Sequence, residues 1–420
     1  MIEQLFFELL QVAIGTRQSL SKTPSTSEWM ELFDMAKKQA LTAIVFAGMN
    51  RLKDTNVEQD VVGASLGIDE ISYLKWLGLT VKIAQRNKAV GMACEKLCKE
   101  YIHDGMRCCV LKGQSNLQYY PENLKECRTA GDIDLWALPQ TGFELPVGDT
   151  DGKGAHYEQF KGICGTIEYV LSQWRLNGSE PSEIRYHHID SPDMDGVSVE
   201  THFRPMYMSS PLRNKRLQRW FEVRGDQELK CCCAESYFPT PSVGFDAVYQ
   251  LTHIYRHLFS EGIGMRQLLD YYFVLRALHI EQASLSDRTK SMAQWTEGMG
   301  WSVPSNEEVM HTLKRFGMKR FACAMMWVLR EVFAMPSVYL ICEPNEQAGR
   351  FLLDEIMMAG NFGKYDERNR QMQGASKLRR FFLMSQRNWR FFKQYPSEVF
   401  WDPFRRAYNV VWRKLKLWRY

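Results

Sequence analysis

The sequence predicts an α+β protein, with a mixed sheet and its helices between about residues 105 and 235 and helical regions on either side. Three observations predict it. Residues 1 to 104 carry apolar side chains at three- and four-residue spacing. From Met106 the pattern changes to short buried runs and period-two alternation, and from Gly244 the helical period returns.

In the first region, "EWMELFDMAKKQALTAIVFAGMNRL" and "EISYLKWLGLTVKIAQRNKAVGMACEKLCKEYIHDG" read as helical, and Gly105 closes the second as a C-terminal glycine. "MRCCVL" is then a buried strand, and "KGQSNLQYYP" a turn into a short helix stopped by Pro121. "DIDLWAL" alternates as a strand, and "FKGICGTIEYVLSQWRLNG" is a helix ended by Gly178. "IRYHHID" and "VSVETHF" alternate on either side of "SPDMDG", a hairpin by its turn residues. "FDAVYQLTHIYRHLFSEGIGMRQLLDYYFVLRAL" and "VMHTLKRFGMKRFACAMMWVLREVF" are helical, Pro336 and Pro344 end that block, and "GNFGKYDERN" is a loop. The tail from Ser376 is expected to form short helices broken at Pro396 and Pro403. The expected domains are 1–104, 105–235, 236–375 and 376–420.

The chain has 420 residues and 45% apolar content, enough for more than one core. Its net charge of +4 says little as a total. From Ser376 to Tyr420, however, 12 basic residues face 2 acidic ones, so the rest of the chain is net acidic. The opening "MIEQLFFELLQVAIG" lacks the basic start and small-residue cleavage site of a secretory signal, and no apolar run reaches the ~20 residues of a membrane span. The 11 cysteines stand as neighbours or singly without a CxxC pair, which fits free thiols in a reducing cytosol.

The chemistry is concentrated around "GDIDLW". On a strand, Asp132 and Asp134 share a face about 6–7 Å apart, while Ile133 and Leu135 face a core. Two carboxylates that close repel unless a cation lies between them, and a hard ion such as Mg²⁺ is the natural partner. The bland alternative is a solvated acidic strand end. "VLKGQSN" passes through Lys112 and Gly113 into a helix start that suits a phosphate. Glu200 is a third carboxylate, sharing the polar face of its strand with Ser198 and His202, and Arg128 stands four residues before Asp132. Arg128 is placed to neutralise a phosphate near the pair, and Glu200 and Arg128 each also have a plain reading as surface residues.

In combination, the motifs "LKG", "YYP", "RTAGDIDL", "VETHFRP", "HIYRHLFSEGIGMRQLLDYY" and "GNFGKYD" resemble the polymerase-beta-type nucleotidyltransferase superfamily. More closely, the chain resembles a bacterial family of uncharacterised nucleotidyltransferases, from about residue 30 to the end. The resemblance implies that Asp132 and Asp134 hold Mg²⁺, or Mn²⁺ in its place, on an NTP. It implies that Glu200 completes a second metal site and helps deprotonate or orient the attacking hydroxyl, and that Lys112, Gly113 and Ser115 contact phosphates. The reaction implied is in-line attack on the α-phosphoryl group, with pyrophosphate leaving. The superfamily's usual Gly-Gly or Gly-Ser is here Gly113-Gln114-Ser115, which places the serine one residue late, and Glu200 follows Asp134 by 66 residues.

His253 and His257, and then Arg266 and Asp270, stand four apart on one predicted helix. The resemblance suggests that this helix faces the nucleotide, and a helix–helix polar network is the alternative. HxxxH is also a zinc-ligand spacing, although no third ligand is evident nearby. The basic aromatic tail has three readings: nucleic-acid binding, peripheral membrane contact through 404–420, and packing on the preceding domain. Packing is the expectation for Phe381, Phe382, Phe391 and Phe392.

The function expected is therefore a metal-dependent nucleotidyltransferase of the cytoplasm or its membrane face. Its acceptor, whether small molecule, glycan intermediate or protein, is not named by the sequence. A catalytically silent nucleotide-binding or scaffold member of the same fold is the alternative. A DxD glycosyltransferase fits less well, because that fold opens with strands rather than with about 100 helical residues.

Overall fold

A computed structural model describes residues 2–54, 66–147, 156–179, 183–229, 237–291, 303–372 and 374–417. Cys231, Cys232 and Cys233 and the last three residues of the tail lie outside them. The protein is α+β, a small mixed sheet among helices, as its periodicities predict. It divides into two compact units. One comprises Met1–Lys88, Tyr119–Thr129 and Asp246–Val399, and the other Ala89–Gln118, Ala130–Phe245 and Phe400–Tyr420.

The second unit holds the sheet. Its strands are β1 (Met106–Val110), β2 (Ile133–Pro139), β5 (His188–Met194) and β6 (Val197–His202), ordered β1-β2-β6-β5. A separate ribbon pairs β3 (Glu144–Val147) with β4 (His156–Gln159). β2 and β6 run parallel, while the outer pairs are antiparallel. Alternation decides the faces. Ile133, Leu135, Ala137, Val197, Val199 and Ile189 point to one side, where they join apolar residues of helix Gly162–Leu176 and of the 89–103 portion of helix Glu70–His103. The other side of β2, β5 and β6 carries the polar residues. Asp195 and Gly196, with φ of +51° and +74°, make the hairpin turn between β5 and β6, the conformation that an Asp-Gly pair favours.

The first unit is helical. Ser25 and Ser305 each cap a helix reciprocally with a glutamate three residues on, Glu28 and Glu308. The "SEGIGMRQ" and "GNFGKYD" segments meet at glycines. A Cβ on Gly363 would come 2.0 Å from the Glu261 carbonyl oxygen, and one on Gly264 would come 2.7 Å from Asn361 Cα. Only glycine permits that approach.

Several sequence expectations need correction. The first helical stretch is two helices, Thr26–Lys38 and Thr42–Asp54, because Ala40 adopts a left-handed φ of +56° between them. Helix Glu346–Ala359 follows Pro344 and was not anticipated. The expected loop "GNFGKYDERN" contains a 3-10 turn at Asn361–Gly363 and a short helix, Glu367–Arg370. Pro403 does not break the tail: helix Pro396–Leu417 runs through it. Beside it, buried Asp402 accepts from Ser209 Oγ and pairs with Arg406, anchors that offset one lost backbone bond. Phe391 is fully buried as expected, but Phe382 is 62% exposed and Phe392 lies at the surface too. In the sheet-bearing unit, Tyr408 and Trp412 pack edge-on against Tyr186.

Candidate functional site

The parallel register of β2 and β6 sets Asp134 beside Glu200, and the antiparallel register of β6 and β5 sets Glu200 beside Asp190. Three carboxylates from three strands thus form one row on the polar face. The next row is Trp136, His202 and His188. Asp132 precedes β2 and is partly exposed, whereas Asp134 is buried.

His202 Nε2–H donates to Asp134 Oδ1 at 3.0 Å and lies 3.6 Å from Glu200 Oε2. His188 Nδ1 stands 2.9 Å from Glu200 Oε2, and its Nε2 3.8 Å from Asp190 Oδ1. Lys112 arrives from the turn after β1, where Gly113 has φ +73°. Its ammonium touches Asp134 Oδ2 and lies 3.7 Å from Asp132 Oδ1. Ser115 Oγ, on the 3-10 helix Gly113–Tyr119, is buried without a hydrogen-bond partner among the described residues.

These contacts fix the charges. Burial alone would depress Lys112, but Asp132 and Asp134 together raise it above its ordinary value. Burial works against ionised Asp134 as well, and is outweighed by Lys112 and the bond from His202, so its carboxyl titrates below the usual range. Glu200 is held far lower still, because His188 and His202 overcome its burial. His202, despite burial, is pushed up to about 9 by Asp134 and Glu200. His187, in contrast, is driven well below its ordinary value by burial and by the neighbouring His188 and His202.

Among the described residues, three overlapping sets present ligand atoms within 4.8 Å of one another: Asp134–Glu200–His202, His188–Asp190–Glu200, and His187–His188–His202. Two hard carboxylates from adjacent strands suit a divalent cation, and Lys112 supplies the positive charge they require otherwise. Asp132 belongs to none of these sets and meets the group through Lys112.

The remaining candidates lie in the helical unit. Arg128 donates from Nε and Nη2 to the two oxygens of Asp270, each at 2.8 Å, and Tyr120 Oη donates to the same carboxylate. Arg266 donates to the Thr129 carbonyl at 2.7 Å and stacks over Phe362. His253 and His257 bring their Nε2 atoms to 3.0 Å, and His257 Nδ1 is 3.5 Å from Glu261. Tyr120 of "YYP", the adjacent Arg128 and Thr129, and Arg266 and Asp270 of "RQLLDYY" therefore converge in one buried polar network.

Sequence reasoning missed His187, His188 and Asp190. A signal existed in "HHID" facing "VETH", but the hairpin count misleads. From the pair Met194–Val197 at the turn, even counting would set His188 opposite Phe203. An extra residue on β5 between Ser191 and Met194 shifts the register and sets it opposite His202.

No helix among the described residues is long and apolar enough to cross a membrane. Comparison with curated proteins and with solved structures gives no match. A family model described as uncharacterised nucleotidyltransferase matches residues 25–294, which include every residue of both polar groups. That match takes in well over half of the chain, and the chain belongs to this family of uncharacterised nucleotidyltransferases.

Proposed function

We propose that the protein transfers a nucleoside monophosphate from an NTP to an acceptor hydroxyl or phosphate, with a divalent cation, Mg²⁺ or Mn²⁺, held by Asp132, Asp134 and Glu200. The observation that carries this reading is the strand register that brings the Asp134 and Glu200 carboxylates within 4.8 Å of each other. The bound ion would neutralise charge on the phosphates and on the leaving pyrophosphate. The polymerase-beta-type superfamily, whose glycine turn and DxD strand the sequence resembles, uses such an ion in the same place.

The chain's own residues take definite parts. His202 holds Asp134 in orientation through its Nε2–H. Glu200, kept strongly ionised by two histidines, serves as a ligand and a fixed negative charge rather than as a proton acceptor. Lys112 exchanges Asp134 for phosphate oxygens when the cation and nucleotide arrive. Gly113, without a side chain, lets the backbone come close to them, and Ser115 Oγ is a buried donor still to be satisfied. Arg128 has its charge matched by Asp270, so we assign it to the helical network rather than to a phosphate. We give His253, His257, Arg266 and Asp270 the same assignment.

Incubation with each α-labelled NTP, Mg²⁺ and candidate acceptors from lysate tests the proposal. Label transfer that is lost in Asp134→Asn supports it. NTP binding without transfer to any acceptor favours the silent reading.

We also propose membrane-surface contact for the tail. Phe400, Phe404, Tyr408, Val411 and Leu415 form an exposed apolar stripe on helix Pro396–Leu417, a helix that also carries Arg413 and Lys414 toward its end. Cosedimentation with anionic vesicles, weakened by salt and by Phe404→Asp, is the expected result. Equal binding to neutral vesicles would oppose it.

A further inference from the structure

Three imidazoles gather at the end of the hairpin farthest from its turn. His188 and His202 are register partners on β5 and β6, and His187 immediately precedes β5. Their ring centroids are 4.4 Å (His187–His188), 5.0 Å (His188–His202) and 5.4 Å (His187–His202) apart. A nitrogen of each lies within 4.8 Å of one from each of the other two. Nδ1 of His187, both ring nitrogens of His188 and Nδ1 of His202 are buried and make no hydrogen bond among the described residues. His188 and His202 are each 1% exposed. The approach of His188 Nδ1 to Glu200 lacks hydrogen-bond alignment. Four buried ring nitrogens without an aligned hydrogen bond are costly, even with the Glu200 and Asp190 carboxylates near two of them, and an ion that takes up their lone pairs lowers the cost.

We infer that His187, His188 and His202 form a binding site for one transition-metal ion of the Zn²⁺ class, distinct from the carboxylate site for a hard cation. Imidazole nitrogen selects zinc, copper or nickel, whereas Mg²⁺ and Ca²⁺ take oxygen. Tetrahedral zinc with bonds near ~2.0–2.1 Å sets its nitrogens roughly 3.3 Å apart, so the observed cluster needs only a modest contraction. His202 has one ring nitrogen committed to a carboxylate and the other buried without a hydrogen bond. Its Nε2–H is fixed on Asp134 Oδ1, and a carboxylate behind one ring nitrogen presents the other to the ion. Binding requires Nδ1 of His202 to give up its proton. Three imidazoles leave a fourth position open, the arrangement of a reactive rather than a closed zinc site. Because Asp134 touches both His202 and Lys112, an ion on the imidazoles bears directly on the carboxylate that the proposed nucleotide chemistry uses.

The inference does not rest on the nucleotidyltransferase reading, and its test separates the two. The full chain is stripped with chelator, titrated with Zn²⁺ in excess Mg²⁺, desalted and assayed for bound metal. Co²⁺ is titrated in parallel as a spectroscopic probe. The expected result is one Zn²⁺ retained per chain despite Mg²⁺, with strong tetrahedral Co²⁺ absorption. Retention persists in Asp132→Asn and is lost in both His187→Gln and His188→Gln, while melting of the metal-free variants shows that they fold. Asp134→Asn, which loosens His202, weakens Zn²⁺ by about 10- to 100-fold. Absence of Zn²⁺ binding, displacement by Mg²⁺, or retention unchanged in both histidine variants overturns the site. Loss in Asp132→Asn equal to that in His187→Gln would place the ion on the carboxylates and overturns it as well.

Discussion

Lys112 and Asp134 are in direct contact where the inner strand β2 begins, a lysine ammonium on a carboxylate that is 3% exposed. Asp132 lies 3.7 Å from the same ammonium, so the lysine bridges both members of the DxD pair. In the proposed site this ammonium occupies the role that a divalent cation takes over.

Removing the lysine should therefore separate stability from metal affinity. Lys112→Met leaves the buried Asp134 carboxylate short of its cation, which costs about 3–5 kcal/mol when a buried pair loses one partner. Chemical denaturation in chelator is expected to show that loss, and added Mg²⁺ should restore more stability to the variant than it adds to the wild type. Equal Mg²⁺ effects in both proteins would contradict the exchange.

The three carboxylates should not be equivalent. Asp134→Asn and Glu200→Gln remove groups in the tight cluster, and each is expected to lower nucleotidyl transfer about a hundredfold or more. Asp132→Asn removes a 43%-exposed carboxylate outside that cluster and should cost less. Steady-state rates for the three variants check the order.

His202 makes the metal-free protein sensitive to alkali. Its proton is bound more tightly in the folded state, where the group titrates near 9, than at its ordinary value of 6.5. The stabilisation is full below pH 6.5 and is lost as pH rises to about 9. For this buried group the change amounts to about 3 kcal/mol. Urea denaturation across that range in chelator should show the decline in the wild type and a flatter profile in His202→Gln.

In the helical unit, the Arg128–Asp270 pair is 5% and 6% exposed. Asp270→Ala is expected to destabilise by about 3–5 kcal/mol, because a buried guanidinium loses its counter-charge. Arg128→Met combined with Asp270→Leu should cost less than the sum of the single changes, as measured by denaturation of the cycle.

Cys323 and Cys342 place their sulfurs 3.7 Å apart. The hydrogen bond from Cys342, with Lys319 nearby, overcomes burial and brings Cys323 down to about 6. Of the eight cysteines described, Cys323 should be alkylated first by iodoacetamide at neutral pH, as peptide mapping would show.

Much of the site was legible in the sequence because strand periodicity is strict. Asp134 and Ile133 fall on opposite faces wherever β2 pairs, and the same rule puts Glu200 and His202 together. The Asp-Gly turn located the hairpin. What the sequence hid were relations set by tertiary structure: the extra residue on β5 that brings His188 opposite His202, and the entry of Lys112 between two aspartates. Pro403 misled for a similar reason, since the buried contacts of Asp402 override a local rule of helix breaking. Arg266 and Asp270 suggested a pair by their spacing, yet Arg128, far away in sequence, supplies the bidentate bond to Asp270.

The central claim is that Asp134 and Glu200 hold a divalent cation together with a nucleoside triphosphate. Mn²⁺ binding followed by electron paramagnetic resonance, with and without a non-hydrolysable NTP analogue, tests it most directly. The account predicts Mn²⁺ binding that the analogue strengthens, that Mg²⁺ competes away, and that is lost in both Asp134→Asn and Glu200→Gln. Mn²⁺ bound equally well by the wild type and these two variants would contradict it.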